Sequence, residues 1–529
     1  MASRGVALSS LISSIGLSSH FDDARPTIRR LVTLVVSHLP RVLIDTITGQ
    51  LRDRTQLADA FETHPVFNEL ISSMTTGVDE NRIRSEVTKF YQYVMLSHRW
   101  EDGEPLFQKV ELVTVYKLEV SLTSTKLQSF CSLVHSLGFQ WAWSDTCCID
   151  KKDNVVLQES LVAMFSWYRD SSLTLVYLRD VPSELEEPGG LRGSIWNTRV
   201  WTYQEYLAAT RVLFYTGDWK PYLGLTLPNH KESPTIISEM ELASRVSAEQ
   251  AATLRPGLDR VREKLSLASR RQTTHPEDIA YSLLGIFGVA MPVIYGEGTR
   301  AVGRLLEHVL TGSGDATILA WTGTANDYNS CLPKDLTVYD AVVPPHIPAP
   351  METSKLDRIV GGLRSSLPDL SLVTMLYERL EHLPSPTLTS SRLRLPGIVS
   401  RVTKILRASD PGPEAQLAIF LATTTTFGDV QIQTASDLSK MKYLYLVHPW
   451  THPLLDQDEE FSRDGPEVDE TSALRLLARL GQPFGALLFE RVSRMDHKRV
   501  AADGLIMTQI SDHIPLSSLI GSIRTIDVQ

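Results

Sequence analysis

Four short apolar runs, each followed by polar residues, constrain the fold of this chain more than any other feature. They begin at Tyr93, Phe139, Leu173 and Val212 and read YVML, FQWAW, LTLVYL and VLFY. Runs of this length suit buried strands, and the stretches between them are long enough for crossover helices. The sequence therefore predicts an α/β domain with a mostly parallel sheet that helices cover on both faces.

The stretches between these runs carry helical periodicity. Residues 126–137 repeat apolar side chains three and four positions apart, residues 157–168 do the same, and residues 199–208 also read as a helix. Asp153 or Asn154 is the predicted N-cap of the second helix, because both side chains accept hydrogen bonds from free amide groups.

Polar segments follow three of the predicted strands, at residues 97–99, 145–150 and 179–180. In sheets of this kind ligands bind beyond the carboxyl ends of the strands. The sequence therefore places a candidate site at this edge.

Five segments of the chain, in the family's order, resemble the fungal heterokaryon incompatibility (HET) domain. They are YVMLSHRW from Tyr93, WSDTCCIDKKD from Trp143, SWYRDSSLTLVYLRDV from Ser166, VWTYQEYLA from Val200 and EDIAYSLLGIFGVAMPVIYGEG from Glu277. The upstream segment LPRVLIDTITGQL is similar to the one that often precedes this domain. The resemblance implies a role in non-self recognition that leads to programmed cell death.

The resemblance also implies a distant kinship with TIR domains, whose sheet carries a Trp-x-x-x-Glu helix. Trp201 and Glu205 have that spacing and would share one face of a helix. TIR enzymes cleave NAD at the nicotinamide–ribose bond, and the resemblance offers Glu205 as the catalytic residue. One carboxylate can suffice, because the cationic nicotinamide leaves as a neutral group while the carboxylate stabilises positive charge on the ribose.

Six residues are the predicted ligand contacts: Ser97, Arg99, Trp100, Asp145, Asp150 and Trp201. Arg99 would hold a pyrophosphate bidentately, and Trp100 would stack on a base. Asp145 and Asp150 are site carboxylates or capping groups.

Structural roles are open for several of these residues. Trp201 also suits a core position, Glu205 also suits an ion pair with Arg199 or Arg211, and Arg99 also suits a salt bridge with Asp145 or Asp150. A serine or cysteine hydrolase, suggested by Ser97, His98 and Cys147, is disfavoured, because adjacent strand residues such as Ser97 and His98 point to opposite faces. No spacing of Cys, His and carboxylates indicates a metal site.

Glycines at 296 and 298 follow the apolar segment MPVIY, but Ala301 stands where a dinucleotide-binding loop needs its third glycine. A tight turn before a helix is the simpler interpretation. Residues 274–277 match a capping box that would open a helix over IAYSLLGIF.

Charge and cysteine content limit the function classes. The chain has 62 acidic and 52 basic residues, a formal net charge of -10, so nucleic-acid binding is not expected. Its four cysteines are too few for a disulfide framework and are interpreted as reduced core thiols. Cys147 and Cys148, if adjacent on a strand, would point apart and not pair.

No run of about 18 apolar residues is present, so no transmembrane segment is predicted. Residues 5–21 lack the compact apolar region of a secretory signal, and no prenylation cysteine stands near the C-terminus. A cytoplasmic protein is therefore expected.

Three segments are predicted: an N-terminal extension over 1–90, a HET domain with a helical C-terminal part over 91–310, and a second, β-rich domain over 311–529. In the extension, residues 26–44 suggest a helix or strand broken by Pro40. Residues 236–269 are expected to be helical, and the acidic segment 456–470 to be an exposed loop.

The sequence thus predicts a cell-death effector of non-self recognition, with hydrolysis of NAD through Glu205 as its candidate activity. NAD would be a substrate, with no permanently bound cofactor, and self-association or a protein partner is expected. The alternatives are a non-enzymatic signalling scaffold that recruits partners through the HET surface, and a family member that retains only the fold.

Overall fold

The computed structural model describes residues 24–74, 77–184, 187–244, 255–340, 353–367, 370–409, 417–450, 470–511 and 514–529. The chain forms two compact units, one of residues 1–187 and 205–233 and the other of residues 188–204 and 234–529. No helix within the described ranges is long and apolar enough to cross a membrane. The predicted acidic loop lies, apart from Glu470, outside these ranges, and the boundaries of the three predicted segments stay predictions.

The first unit alternates helices with strands. Its helices are α1 Ala24–His38, α2 Arg54–Thr63, α3 Pro65–Ser73, α4 Glu80–Phe90, α5 Phe107–Val113, α6 Leu122–Ser136 and α7 Asn154–Asp170. Its strands are β1 Val42–Asp45, β2 Leu51–Asp53, β3 Tyr93–His98, β4 Trp141–Trp143, β5 Leu173–Leu178 and β6 Val212–Thr216. The short helix α8, Gly190–Gly193, belongs to the second unit, and α9, Val200–Ala208, passes from the second unit into the first at Glu205.

The described strands of the first unit form one sheet in the order β2-β1-β4-β3-β5-β6. Strands β4, β3, β5 and β6 are parallel, which confirms the predicted mostly parallel sheet. The N-terminal segment contributes β1 and β2, and β1 pairs antiparallel with β4. Helix α1 ends at His38, two residues before Pro40, because proline cannot continue a helix.

Caps explain where helices α6 and α7 begin. Helix α7 begins after Asp153, whose carboxylate accepts the amide hydrogens of Val155 and Val156 at 2.9 and 3.2 Å. This confirms Asp153 as the N-cap. Helix α6 begins four residues earlier than predicted, because Ser121 and Ser124 form a capping box ahead of the apolar repeat.

The second unit contains the β-rich region predicted for the C-terminal part of the chain. Its further helices are α10 Pro234–Ser244, α11 Val261–Ala268, α12 Asp278–Tyr281, α13 Leu284–Phe287, α14 Arg300–Ser313, α15 Thr353–Ser366, α16 Ser371–Glu381, α17 Glu470–Leu480 and α18 Leu516–Ser522. Its strands are β7 Thr387–Thr389, β8 Arg392–Ser409, β9 Ala418–Thr424, β10 Asp429–Thr434, β11 Leu444–Pro449, β12 Phe484–Arg491, β13 Asp496–Val500, β14 Ile506–Thr508 and β15 Ile523–Val528.

These strands build a mainly antiparallel sheet around the long strand β8, in the order β10-β9-β8-β11-β12-β13-β15. Strands β14 and β7 add to β12 and β8, and β15 also pairs with β8. Its apolar face packs on α16, α17 and α18 through buried side chains such as Leu380, Leu446, Leu488 and Leu519.

Several local predictions are wrong. The capping box at 274–277 does not form, because the Glu277 carboxylate accepts the amide hydrogens of Gly296 and Gly298, both at 2.8 Å. These glycines have φ values of 97° and 59°, which confirms the tight turn. The predicted helix IAYSLLGIF is divided into two short helices, α12 and α13. The predicted helical stretch 236–269 contains two helices, α10 and α11, and its residues 245–254 lie outside the described ranges.

The cysteines are buried thiols, as predicted, but Cys147 and Cys148 do not lie on a strand. All four are free and buried. Cys147 and Cys148 lie in the turn that follows β4 and not on a strand, because β4 ends at Trp143 and the amide groups of both cysteines bond back to the carbonyl of Ser144.

Candidate functional site

The last two side chains of strand β3, Ser97 and His98, lie in two different polar clusters at the carboxyl edge of the sheet. Ser97 and His98 are adjacent, so their side chains leave the strand on opposite faces. Ser97 contacts Glu205, whereas His98 faces Glu104 and Asp145. The predicted edge therefore holds two separate clusters.

The first cluster is centred on the carboxylate of Glu205, which lies in α9 and is only 4% exposed. The Ser97 hydroxyl, itself fully buried, donates to Glu205 Oε2 at 2.5 Å. The Tyr168 hydroxyl donates to the carbonyl of Leu96 at 2.9 Å, and burial together with the nearby negative charge of Glu205 raises the pKa of Tyr168 well above its usual value. Ser97 thus orients a buried carboxylate and does not face solvent.

The second cluster, here called the His98 cluster, comprises His98, Trp100, Glu101, Glu104, Lys126, Asp145 and Lys151. Lys126 is almost fully buried, forms a short ion pair with Glu104, and lies 3.5 Å from Glu101. Arg179, which directly follows β5, forms an ion pair with Glu101 at 2.9 Å. Burial raises the pKa of Glu104, and the positive charge of Lys126 opposes that rise.

His98 lies inside this cluster with its side chain 1% exposed. Its Nε2 atom is 3.7 Å from Glu104 Oε1 and 3.9 Å from Asp145 Oδ1, both too long for a hydrogen bond. Neither ring nitrogen has a hydrogen-bond partner among the described residues. Burial, reinforced by the positive charges of Lys126 and Lys151, holds the pKa of His98 well below its usual value, so the imidazole is neutral at pH 7.

Trp100 connects Asp145 with Lys151 at the outer side of the cluster. Its indole N–H donates to Asp145 Oδ2 at 2.6 Å, and Lys151 Nζ lies 3.2 Å from the centre of the ring. Burial raises the pKa of Asp145 and lowers that of Lys151, while the attraction between the two charges opposes both shifts. The ring face expected to stack on a base is therefore covered by an ammonium group.

The remaining predicted contacts are more dispersed. Arg99 is exposed and, within the described ranges, forms no ion pair, so the proposed salt bridge with Asp145 or Asp150 is not found. Asp150 accepts from Gln108 Nε2 at 2.6 Å and from the amide of Lys152 at 2.9 Å, and so caps the turn before α7. Trp201 is half-buried and belongs to the second unit.

The sequence reasoning missed the charged residues Glu104, Lys126 and Lys151, and it assigned His98 no site role. One signal was present for Lys126. In the predicted helix it is four positions before the buried Phe130, so a lysine stands on the apolar face. A charge in such a position needs a buried partner, which Glu104 supplies.

The neutral state of His98 predicts a loss of stability in mild acid. The unfolded chain titrates this residue near pH 6.5, whereas the folded pKa is well below that value. As the pH falls from 6.5 towards the folded pKa, the unfolded chain binds a proton that the folded chain excludes, so the free energy of unfolding decreases, by up to about 1.4 kcal/mol per pH unit. His230 and His497, whose pKa values burial also lowers, act in the same direction, whereas Asp145 and Glu104, whose pKa values are raised, oppose it.

Urea unfolding of the wild type and of His98→Gln at about pH 7.5 and about pH 5.5 tests this prediction. We expect the wild type to lose more stability between the two pH values than the variant does. The exposed His382 serves as the control, and His382→Gln should behave as the wild type. Equal acid sensitivity of the wild type and His98→Gln would contradict the prediction.

Two comparisons with known proteins find similar sequences. The family model described as heterokaryon incompatibility protein (HET) matches residues 93–189. The vegetative incompatibility protein HET-E-1 of Podospora anserina is 32% identical over 247 residues, which cover 45% of this chain and 18% of that relative. The chain therefore spans less than a fifth of the length of this relative, and no solved structure matches it. The residues matched by the family model include Ser97 and the whole His98 cluster, whereas Glu205 lies outside the matched range.

Proposed function

We propose, on the premise that this chain carries a heterokaryon incompatibility (HET) domain, that it acts in fungal non-self recognition as an effector of programmed cell death. The matched relative is named a vegetative incompatibility protein. The chain corresponds to only 18% of that relative, so this role is inferred from the shared domain. The TIR-like character of the domain is part of the same proposal.

Hydrolysis of NAD through Glu205 is the first candidate activity. The observation that supports it is the 2.5 Å hydrogen bond from Ser97 to Glu205, which fixes a carboxylate at the carboxyl edge of the parallel sheet. A carboxylate oriented in advance needs little reorganisation when positive charge develops on a substrate. Since Glu205 is 4% exposed, the proposal requires substrate binding to uncover it.

The reaction follows from the charges involved. The bond between the nicotinamide nitrogen and the ribose C1 atom breaks, and the bonding electrons leave with the nicotinamide, which becomes neutral. The ribose then carries oxocarbenium character, which the Glu205 carboxylate would stabilise. Water adds to C1 and releases one proton, so the products are nicotinamide and ADP-ribose.

A non-enzymatic scaffold is the second candidate, and an exposed apolar surface favours it. Leu112 in α5 is 83% exposed, Val120 in the following loop 91%, and Leu122, the first residue of α6, 73%. Strongly exposed apolar side chains close together in the sequence would suit a protein-binding surface if they form one patch. Such a surface would recruit partners without chemistry at Glu205.

Two measurements on the same protein separate the candidates. The purified chain is incubated with NAD, and nicotinamide and ADP-ribose are followed by chromatography; in parallel, growth is followed in fungal cells that express the chain. NAD consumption with growth arrest supports the enzyme. Growth arrest without NAD consumption, abolished by Leu112→Ser with Val120→Ser, supports the scaffold. If neither NAD consumption nor growth arrest is observed, only the shared fold remains supported.

A further inference from the structure

Two buried polar groups of the His98 cluster lack hydrogen-bond partners among the described residues. They are the imidazole of His98, at both nitrogens, and the ammonium group of Lys151. Native proteins rarely leave such groups unsatisfied, because a buried polar group without a partner has lost its hydrogen bonds to water. Two of them at the carboxyl edge of a parallel sheet indicate a place where a ligand supplies the missing partners.

The distances around His98 indicate what kind of atom fits. Its Nε2 atom is separated from Asp145 Oδ1 by 3.9 Å and from Glu104 Oε1 by 3.7 Å. One oxygen atom placed about 2.8 Å from each partner would bridge such a gap. A hydroxyl group matches the chemistry, since it accepts from the N–H of a neutral imidazole and donates to a carboxylate. The other oxygen of Asp145 already accepts from Trp100, which fixes the orientation of the carboxylate.

Lys151 and Trp100 indicate the rest of the ligand. The ammonium group covers the indole face at 3.2 Å, but it is carried on a flexible side chain that can rotate away. The vacated face would stack on a planar base, and the displaced ammonium would seek an anionic oxygen. The exposed Arg99, with no ion pair among the described residues, adds a second positive charge at the same strand end.

We propose that the His98 cluster binds a nucleoside diphosphate. A ribose hydroxyl lies between His98 and Asp145, the base stacks on Trp100, and Lys151 moves from the ring to the diphosphate. This inference deepens the proposed function, because NAD contains such a moiety, and it adds His98 and Lys151 to the ligand contacts. It concerns binding and does not require hydrolysis.

Isothermal titration calorimetry on the full chain tests the proposal with ADP-ribose, adenosine and inorganic pyrophosphate as separate probes. We expect Lys151→Ala to weaken ADP-ribose at least tenfold, since a charge-assisted phosphate contact is lost. The same variant should bind adenosine at least as tightly as the wild type, because the Trp100 face is then uncovered. The neighbouring exposed Lys152 provides the matched control, and Lys152→Ala should bind all three probes as the wild type does.

The hydroxyl contact is tested with His98→Phe, which keeps an aromatic side chain but replaces the imidazole with a phenyl ring that has no nitrogen atoms. It should weaken adenosine and ADP-ribose while leaving pyrophosphate unchanged, and Asp145→Asn supplies a second variant should the first fail to fold. Three results would overturn the proposal. The wild type does not bind ADP-ribose, Lys151→Ala and Lys152→Ala lose ADP-ribose affinity equally, or the wild type binds pyrophosphate alone. ADP-ribose binding without NAD consumption would refute the hydrolase and leave the binding site standing.

Discussion

Replacing Glu205 with glutamine is expected to lower the rate of NAD hydrolysis by at least about 100-fold, the effect typical of removing one preorganised electrostatic group. Glutamine keeps the size of the side chain, and its carbonyl oxygen still accepts the hydrogen bond that Ser97 donates to Glu205. The negative charge that would stabilise the ribose cation is lost. Chromatographic measurement of nicotinamide release gives the rate, and thermal unfolding verifies that the variant is folded.

The matched control is Glu239→Gln in the second unit. Glu239 is also buried, at 3% exposure, and it also accepts a hydrogen bond, from the amide of Arg192 at 2.9 Å. This variant should hydrolyse NAD as the wild type does. Retention of full activity in Glu205→Gln would remove Glu205 from the mechanism, and an equal loss in both variants would show that the effect is not specific to the proposed site.

Replacing Arg499 with methionine is expected to reduce the free energy of unfolding of the second unit by about 3–5 kcal/mol. The guanidinium is buried, donates to the carbonyls of Leu319 and Trp321, both at 2.8 Å, and lies 3.9 Å from the Trp321 ring centre. It also contacts the carbonyl of Cys331 at 3.3 Å. Methionine fills similar space, but these carbonyls would lose a charged donor.

Urea titration followed by circular dichroism measures this loss as a lower midpoint at unchanged slope. Arg394→Met is the matched control on the same sheet. Arg394 is 68% exposed and lies 3.9 Å from Asp527, so removing this ion pair should cost less than about 1 kcal/mol. A similar, small effect of both substitutions would show that the buried carbonyls find other donors.

Local sequence pattern was sufficient for the four parallel strands of the first sheet, but not for β1 and β2. The run LTLVYL was predicted as a strand and forms β5 with the same limits, because a short, mostly apolar run suits a strand that is buried on both faces. Asp153 or Asn154 was predicted as the N-cap from residue type and position alone, and Asp153 is the N-cap. The capping box at 274–277 failed because a contact distant in sequence, with the amide groups of the glycine turn, engages Glu277 instead.

The candidate site could be predicted only in part. The strand ends indicated Ser97 and Asp145, and the family resemblance indicated Glu205. The hydrogen bond between Ser97 and Glu205 joins residues 108 positions apart, and nothing in the local pattern pairs them. Nothing in the sequence distinguishes His98 from other polar residues. Only the structure shows that it is buried without a hydrogen-bond partner among the described residues.

The sequence by itself determined the four parallel strands and the helices between them, and that these strands expose their carboxyl ends at one edge, because apolar periodicity and backbone capping act over a few residues. The tertiary structure alone decided which charged groups are desolvated together. Lys126 pairs with Glu104 and Lys151 covers Trp100 because chain folding brings distant residues into a space that excludes water. The pKa shifts of the His98 cluster depend on that enclosure, which is a property of packing and not of any local sequence pattern.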